Sequence, residues 1–206
     1  MKKNKLIMFD WGNIVESFTT GYSCKNAWND LFVSCGCKLD NVISYLSKYE
    51  LSSIKNEMEF KKVYELIKKD LDLKVDYNYF VMKYDYFFDK IDFYENVKNY
   101  EISLKDKCYI GILSNLTIFD KKRLDKQVGL KNYDYVFLSF EIGIRKPNIE
   151  IFKYVQDNVP FDKKDILFID DKLENIETAK SFGWNVLCCS GLELDKIKRT
   201  CDAFLK

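Results

Sequence analysis

The sequence contains no histidine. That absence removes the commonest general base and the commonest transition-metal ligand together. Proton transfer and metal binding therefore fall to carboxylates, lysine, tyrosine or thiols. Charge of one sign is also lacking: 33 basic and 32 acidic residues leave a formal net charge of +1. A surface so balanced carries no basic footprint for nucleic acid. Lysine pairs such as Lys61–Lys62, Lys68–Lys69 and Lys163–Lys164 alternate with acids and read as solvated helix faces. No apolar run is long enough to span a bilayer, and the first, Leu6–Phe9, is far too short for a signal-peptide core. The seven cysteines are an odd number and form no CxxC pair. Cys35–Gly36–Cys37 and Cys188–Cys189 match no zinc spacing. Reduced thiols in a cytoplasmic protein, with no membrane partner, are the expectation.

Apolar and aromatic material is plentiful, at 47% and 16% of 206 residues. That suits one domain, or one domain carrying an insertion. Lys5–Phe9 is uniformly apolar, as in a strand buried on both faces. Residues 16–92 contain neither proline and repeat at helical spacing, through Ala27, Trp28, Leu31, Phe32 and Cys35 and then Phe60, Val63, Tyr64 and Ile67. Four or five helices are expected there, and the aromatic stretch Tyr77–Phe88 reads as one with two buried faces. From residue 93 helices and strands alternate. Strands are expected at 108–113, 135–138, 166–169 and 186–189, with helices at 97–104, 117–128, after Pro147, and at 174–182. Such alternation predicts an α/β fold, a doubly wound parallel sheet with a helical insertion.

In that architecture the ligand crevice lies at the carboxyl ends of the strands. Four runs end in polar groups at that edge: Asp10, Ser114–Asn115, Lys146 and Asp170–Asp171. Carboxylates crowded together oppose folding unless a cation enters, and an all-oxygen donor set selects a hard one. Mg2+, with Asp10 and Asp171 as direct ligands and Asp170 holding a bound water or a second layer, fits best. Asp10 beside a metal and a phosphate is a candidate nucleophile. Ser114 and the N–H groups after it suit phosphate oxygens, and Lys146 suits the charge on a transferring phosphoryl group.

The segments Asp10-Trp11-Gly12-Asn13-Ile14, Leu113-Ser114-Asn115, Gly143-Ile144-Arg145-Lys146-Pro147 and Phe168-Ile169-Asp170-Asp171-Lys172-Leu173-Glu174-Asn175 resemble, in order, the four motifs of the haloacid dehalogenase-like superfamily. The resemblance covers residues 1–15 and about 93–190. It implies a Rossmann-like core domain at 1–15 and 93–206 and a helical cap domain at 16–92. It implies Asp10 as nucleophile, with metal held by the Asp10 side chain, the Gly12 carbonyl and Asp171. It implies phosphate binding by Ser114, Asn115 and Lys146, and Asn175 as support for the metal site.

One position departs from the pattern. Most phosphatases of the superfamily carry a second aspartate two residues after the nucleophile, as general acid and base, and here that residue is Gly12. The Asp-x-Gly-Asn arrangement resembles a subgroup that includes sugar-phosphate phosphatases. A cap residue, Glu16 or the substrate itself is left to supply the missing proton. The expected activity is Mg2+-dependent hydrolysis of a small phosphate monoester, a sugar phosphate or similar, through an aspartyl-phosphate. The alternatives are a metal-free 2-haloacid dehalogenase, which the acidic pair Asp170–Asp171 opposes, and a phosphate-binding or regulatory protein with weak turnover.

Overall fold

The structure is a computed structural model that describes residues 3–18, 20–37, 39 and 42–206. Its centre is β1 (Leu6–Phe9), whose residues are all fully buried. The insertion follows as α1 (Cys24–Ser34), α2 (Val42–Leu46), α3 (Glu57–Asp70) and α4 (Tyr77–Phe88). Then come α5 (Glu95–Ser103), β2 (Tyr109–Ser114), α6 (Asp120–Val128), β3 (Tyr135–Leu138) and the short α7 (Ser139–Ile142). The chain closes through α8 (Ile149–Asp157), β4 (Ile166–Asp170), α9 (Leu173–Phe182), β5 (Asn185–Cys188) and α10 (Leu194–Leu205).

The five strands are parallel, in the order β3-β2-β1-β4-β5. Each apolar run lies where the sequence places it, within a residue or two at its ends. Successive side chains of β1 point to opposite faces. Ile7 and Phe9 pack with Val97 of α5, Leu124 of α6 and Ile197 of α10. Leu6 and Met8 pack with Ile151 and Phe152 of α8 and Ala179 of α9. Both faces are thus covered, which is why the strands read as continuous apolar runs. The chain moves outward from β1 to β2 and β3, then crosses to β4 on the other side. The switch point therefore lies at the ends of β1 and β4, where a crevice must open.

The insertion builds its own hydrophobic cluster from Phe32 of α1, Phe60 and Tyr64 of α3, and Phe80 and Tyr84 of α4. Helix α4 matches its expected span but buries one stripe, Tyr77, Phe80, Tyr84 and Phe88, rather than two faces. Met82 and Tyr86 on its far side are more than half exposed. Phe119, just before α6, joins this cluster to the core, with ring centroids 4.7 Å from Phe60 and 5.2 Å from Tyr84. Pro147 lies just ahead of α8, near its first turn as expected. It precedes Asn148, whose side chain caps α8 by accepting from the Glu150 amide at 3.0 Å.

Candidate active site

The register pairs Phe9 with Ile112 on one side and Ile169 on the other. Asp10 therefore leaves the sheet between β2 and β4, and its amide donates to Ile169 O at 2.8 Å. The residue is 6% exposed. Every hydrogen bond its carboxylate accepts falls on Oδ1: from the Trp11 amide at 2.7 Å, from Ser114 Oγ at 2.7 Å, and from Lys146 Nζ in an ion pair at 3.0 Å. Oδ2 is left free beside a cavity of about 130 Å³, which Ser114, Lys146, Asp171 and Asn175 also line. Burial raises the Asp10 carboxyl to about 6, against the opposing pull of Lys146.

Lys146 reaches this point through the turn that ends α7 at Gly143 (φ +83°). Asn115 grips its backbone: the Lys146 amide donates to Asn115 Oδ1 and Asn115 Nδ2 donates to Lys146 O, each at 2.9 Å. The buried ammonium donates to Leu113 O at 2.8 Å and to Asp170 Oδ2 at 2.6 Å. Burial pulls its pKa down, and Asp10 and Asp170 more than reverse that pull. Asp170, fully buried, also accepts Asn175 Nδ2 on both oxygens, at 3.0 and 2.9 Å, and the Lys172 amide at 2.8 Å. Asp171 stays partly open, accepts Asn13 Nδ2 at 2.9 Å, and is raised chiefly by burial.

All the sequence-derived site residues therefore meet at one strand edge. Asp10, Asp170 and Asp171 each bring a carboxylate oxygen within 4.8 Å of the others. One ammonium does not neutralise three carboxylates. Asn13 Oδ1 and Asn175 Oδ1 are buried without partners beside them. Free acceptors around an all-oxygen cluster suit a hydrated hard cation such as Mg2+. Sequence reasoning assigned no role to the Asn13 side chain, although an asparagine able to hold φ +58° in a tight turn was a local signal.

A second polar cluster lies beside the first and escaped the sequence except at Glu16. Arg123 of α6 donates to Glu16 Oε2 and, at 2.8 Å, to Asp120. Trp11 Nε1 donates to the same Glu16 oxygen at 3.2 Å. Tyr84 of α4 donates to Asp120 at 2.9 Å, and Thr117 donates to it from both its amide and its hydroxyl. The overlooked signal was scarcity: the chain has three arginines, and Arg123 and Arg145 flank this region.

A parallel α/β sheet that gathers carboxylates and one buried lysine at its switch point defines a carboxylate-centred hydrolase core. The family profile of haloacid dehalogenase-like hydrolases matches residues 21–189, and the chain belongs to that family of enzymes. A crystal structure of a family enzyme from Bacteroides thetaiotaomicron, an alanine variant holding magnesium and inorganic phosphate, superposes with a TM-score of 0.74. It is 19% identical and covers 92% of this chain and 96% of its own, a likeness of fold. A stretch of 51 residues, 25% of the chain, is 37% identical to the drimenol cyclase drtB of Aspergillus calidoustus. A stretch of 69 residues, 34% of the chain, is 33% identical to the sesquiterpene phosphatase astK of Aspergillus oryzae. These matches span 10% and 33% of the two curated relatives. Among the described residues, no helix is long and apolar enough to cross a membrane.

Proposed function

We propose that the protein is a Mg2+-dependent phosphatase of a small phosphate monoester, with Asp10 as nucleophile. The carrying observation is the one-sided solvation of Asp10. Three donors hold Oδ1, and Oδ2 is free beside a cavity that Lys146 and Asp171 share. A carboxylate fixed at one oxygen is oriented for attack with the other. The magnesium and phosphate in the Bacteroides enzyme, and the phosphatase named among the relatives, support the same chemistry.

In this reading Asp10, the Gly12 carbonyl and Asp171 hold the cation. Mg2+, when bound, neutralises phosphate charge and polarises the phosphorus centre. Asp10 Oδ2 attacks phosphorus, the bond from phosphorus to the alcohol oxygen breaks, and the alkoxide takes a proton from solvent water and leaves as the alcohol. Water then attacks the aspartyl-phosphate, releasing phosphate and restoring the carboxylate. Ser114 and Lys146 meet the phosphoryl oxygens by turning their donors from Asp10 Oδ1 to the phosphate. Asn115 contributes its main-chain N–H, because its side chain is spent on the Lys146 backbone. Asp170 and Asn175 hold Lys146 in place, which makes Asp170 an anchor rather than a direct ligand. Residues 16–92 act as a cap over the site.

Hydrolysis of p-nitrophenyl phosphate in Mg2+ tests this. Chelation and Asp10→Asn are each expected to remove turnover, and the wild-type protein to trap a phosphoryl group that Asp10→Asn does not. Turnover that survives Asp10→Asn, or chloride release from a 2-haloacid without metal, overturns it.

A further inference from the structure

The cavity that holds Asp10 and a larger one of about 270 Å³ share Glu16, Asn115 and Lys172 in their walls. A phosphoryl group at Asp10 therefore has the larger chamber beside it for the rest of its ligand. Some of the chamber's charged groups are already satisfied. Arg123 donates to Glu16 and to Asp120, and Tyr84 and Thr117 complete the bonding of Asp120. Others are not. Among the described residues, the side chains of Arg145, Lys172 and Glu50 line the chamber without a hydrogen bond or an ion pair.

These free groups are unequal. Arg145 directly precedes the residue whose backbone Asn115 grips from both sides, so its main chain is fixed by the same grip. Its Nε is buried without an acceptor, and Arg123 Nε in the same walls is buried in the same way. A buried donor without a partner costs free energy until an acceptor arrives. Lys172 lines both cavities, and its amide is pinned to Asp170 Oδ1 at 2.8 Å. Glu50, from the insertion, is the one free acceptor of the three, and it is exposed, so water solvates it. What the chamber leaves unsatisfied is therefore donor, and cationic. A guanidinium takes a carboxylate or a phosphate on two N–H groups at once.

We propose that the larger chamber is a subsite for a second anionic group. The ligand is a phosphate monoester whose alcohol carries a carboxylate or a further phosphate, received by Arg145 and Lys172. A cavity of about 150 Å³ accommodates a benzene ring, so this chamber has room for the second anion and a short chain, roughly ten heavy atoms in all. The proposal rests on the phosphatase reading only for where the first phosphoryl group sits.

Non-hydrolysable phosphonates test the subsite without requiring turnover. Carboxyalkylphosphonates and bisphosphonates with ethylene to hexylene spacers are titrated in Mg2+ beside n-alkylphosphonates of equal length. The terminal anion is expected to tighten binding about tenfold or more at its best spacer, the scale of a hydrogen bond to a charged group. Whichever of the two anions leads names the second group. Arg145→Met and Lys172→Gln should each cut this preference about threefold or more, and Glu50→Gln, which removes the free carboxylate, should enlarge it. The readout is a ratio of affinities, so a general loss of binding does not move it. If Arg145→Met fails to fold, the variants at exposed Lys172 and Glu50 carry the test. Equal affinity with and without the terminal anion overturns the proposal, as does a preference that neither Lys172→Gln nor Glu50→Gln changes. Hydrolysis of p-nitrophenyl phosphate separates the two readings. A preference for the second anion with no hydrolysis sinks the phosphatase and keeps the subsite. Hydrolysis with no preference does the reverse.

Discussion

Asp10 and Glu101 are both buried carboxylates, and their surroundings make them opposites. Asp10 has a lysine and a serine beside it and opens on a cavity. Glu101 of α5 is wholly buried, accepts one bond from Tyr133 Oη at 2.7 Å, and leaves Oε1 without a partner. Burial pushes the Glu101 carboxyl from 4.5 up to about 8. The folded protein thus keeps this proton over a range in which the unfolded chain releases it. The stabilising contribution is complete below pH 4.5, falls as pH rises, and is gone above about 8. Its slope is at most about 1.4 kcal/mol per pH unit. Glu101→Gln is expected to remove this slope, so urea unfolding at pH 5 and pH 8 should differ less for the variant than for the wild type. Parallel profiles would refute the assignment.

Gly12 is the other residue whose change is informative. A Cβ built there meets nothing within 4 Å, so a side chain fits. If protonation of the leaving group limits turnover, Gly12→Asp should speed alkyl phosphate cleavage more than p-nitrophenyl phosphate cleavage. The gain could reach about 10²-fold, the low end for a positioned acid. An unchanged ratio of kcat/KM between the two substrates would show that protonation does not limit the reaction.

Among the elements, the loop after β1 depends on a contact from the far end of the chain. The Gly191 amide donates to Asn13 O at 2.8 Å. A Cβ at Gly191 would lie 2.1 Å from Ile14 O and 2.4 Å from the Tyr94 ring. The backbone before α10 must therefore lie flush against the loop after β1, and any side chain pushes them apart. Gly191→Ala is expected to destabilise the fold by about 1–3 kcal/mol, the range for overpacking, and to weaken Mg2+ binding as the loop shifts. Unchanged stability by denaturant titration would show that the loop yields. The regular elements themselves were readable in advance, because apolar runs and helical spacing are local properties. The α4 stripe was misread because a helix crowded with aromatics has the same composition whether one face or two are covered. Only its packing against α1 shows which rings face solvent.

Across the whole molecule, the insertion and the core are joined by buried charge. Tyr84 of the insertion, Arg123 and Asp120 of α6, and Glu16 in the loop after β1 form one continuous network. Burial raises the Glu16 pKa, and Arg123 holds it back. Replacing the arginine strands two buried acids, a loss of about 3–5 kcal/mol for a broken buried pair. Arg123→Met should therefore lower stability severely at pH 7, and adding Glu16→Gln should restore part of the loss. Additive losses in a double-mutant cycle would show that the two residues are not coupled.

The sequence by itself determined the sheet, the order of its strands along the chain, and the set of polar groups at their carboxyl ends. Buried parallel strands must be apolar throughout, so an aspartate or lysine at the end of one is conspicuous. Tertiary structure alone decided how those groups divide the work. Which oxygen of Asp10 stays free, why Asp170 serves Lys146, and how Asn115 spends its side chain depend on contacts between residues 24 to 104 positions apart. The chamber beside them depends on the same distance in sequence, since one wall comes from the insertion and the other from the core. Glu16, Asp120 and Arg123 look available in the sequence, and only the fold shows that they have already satisfied one another.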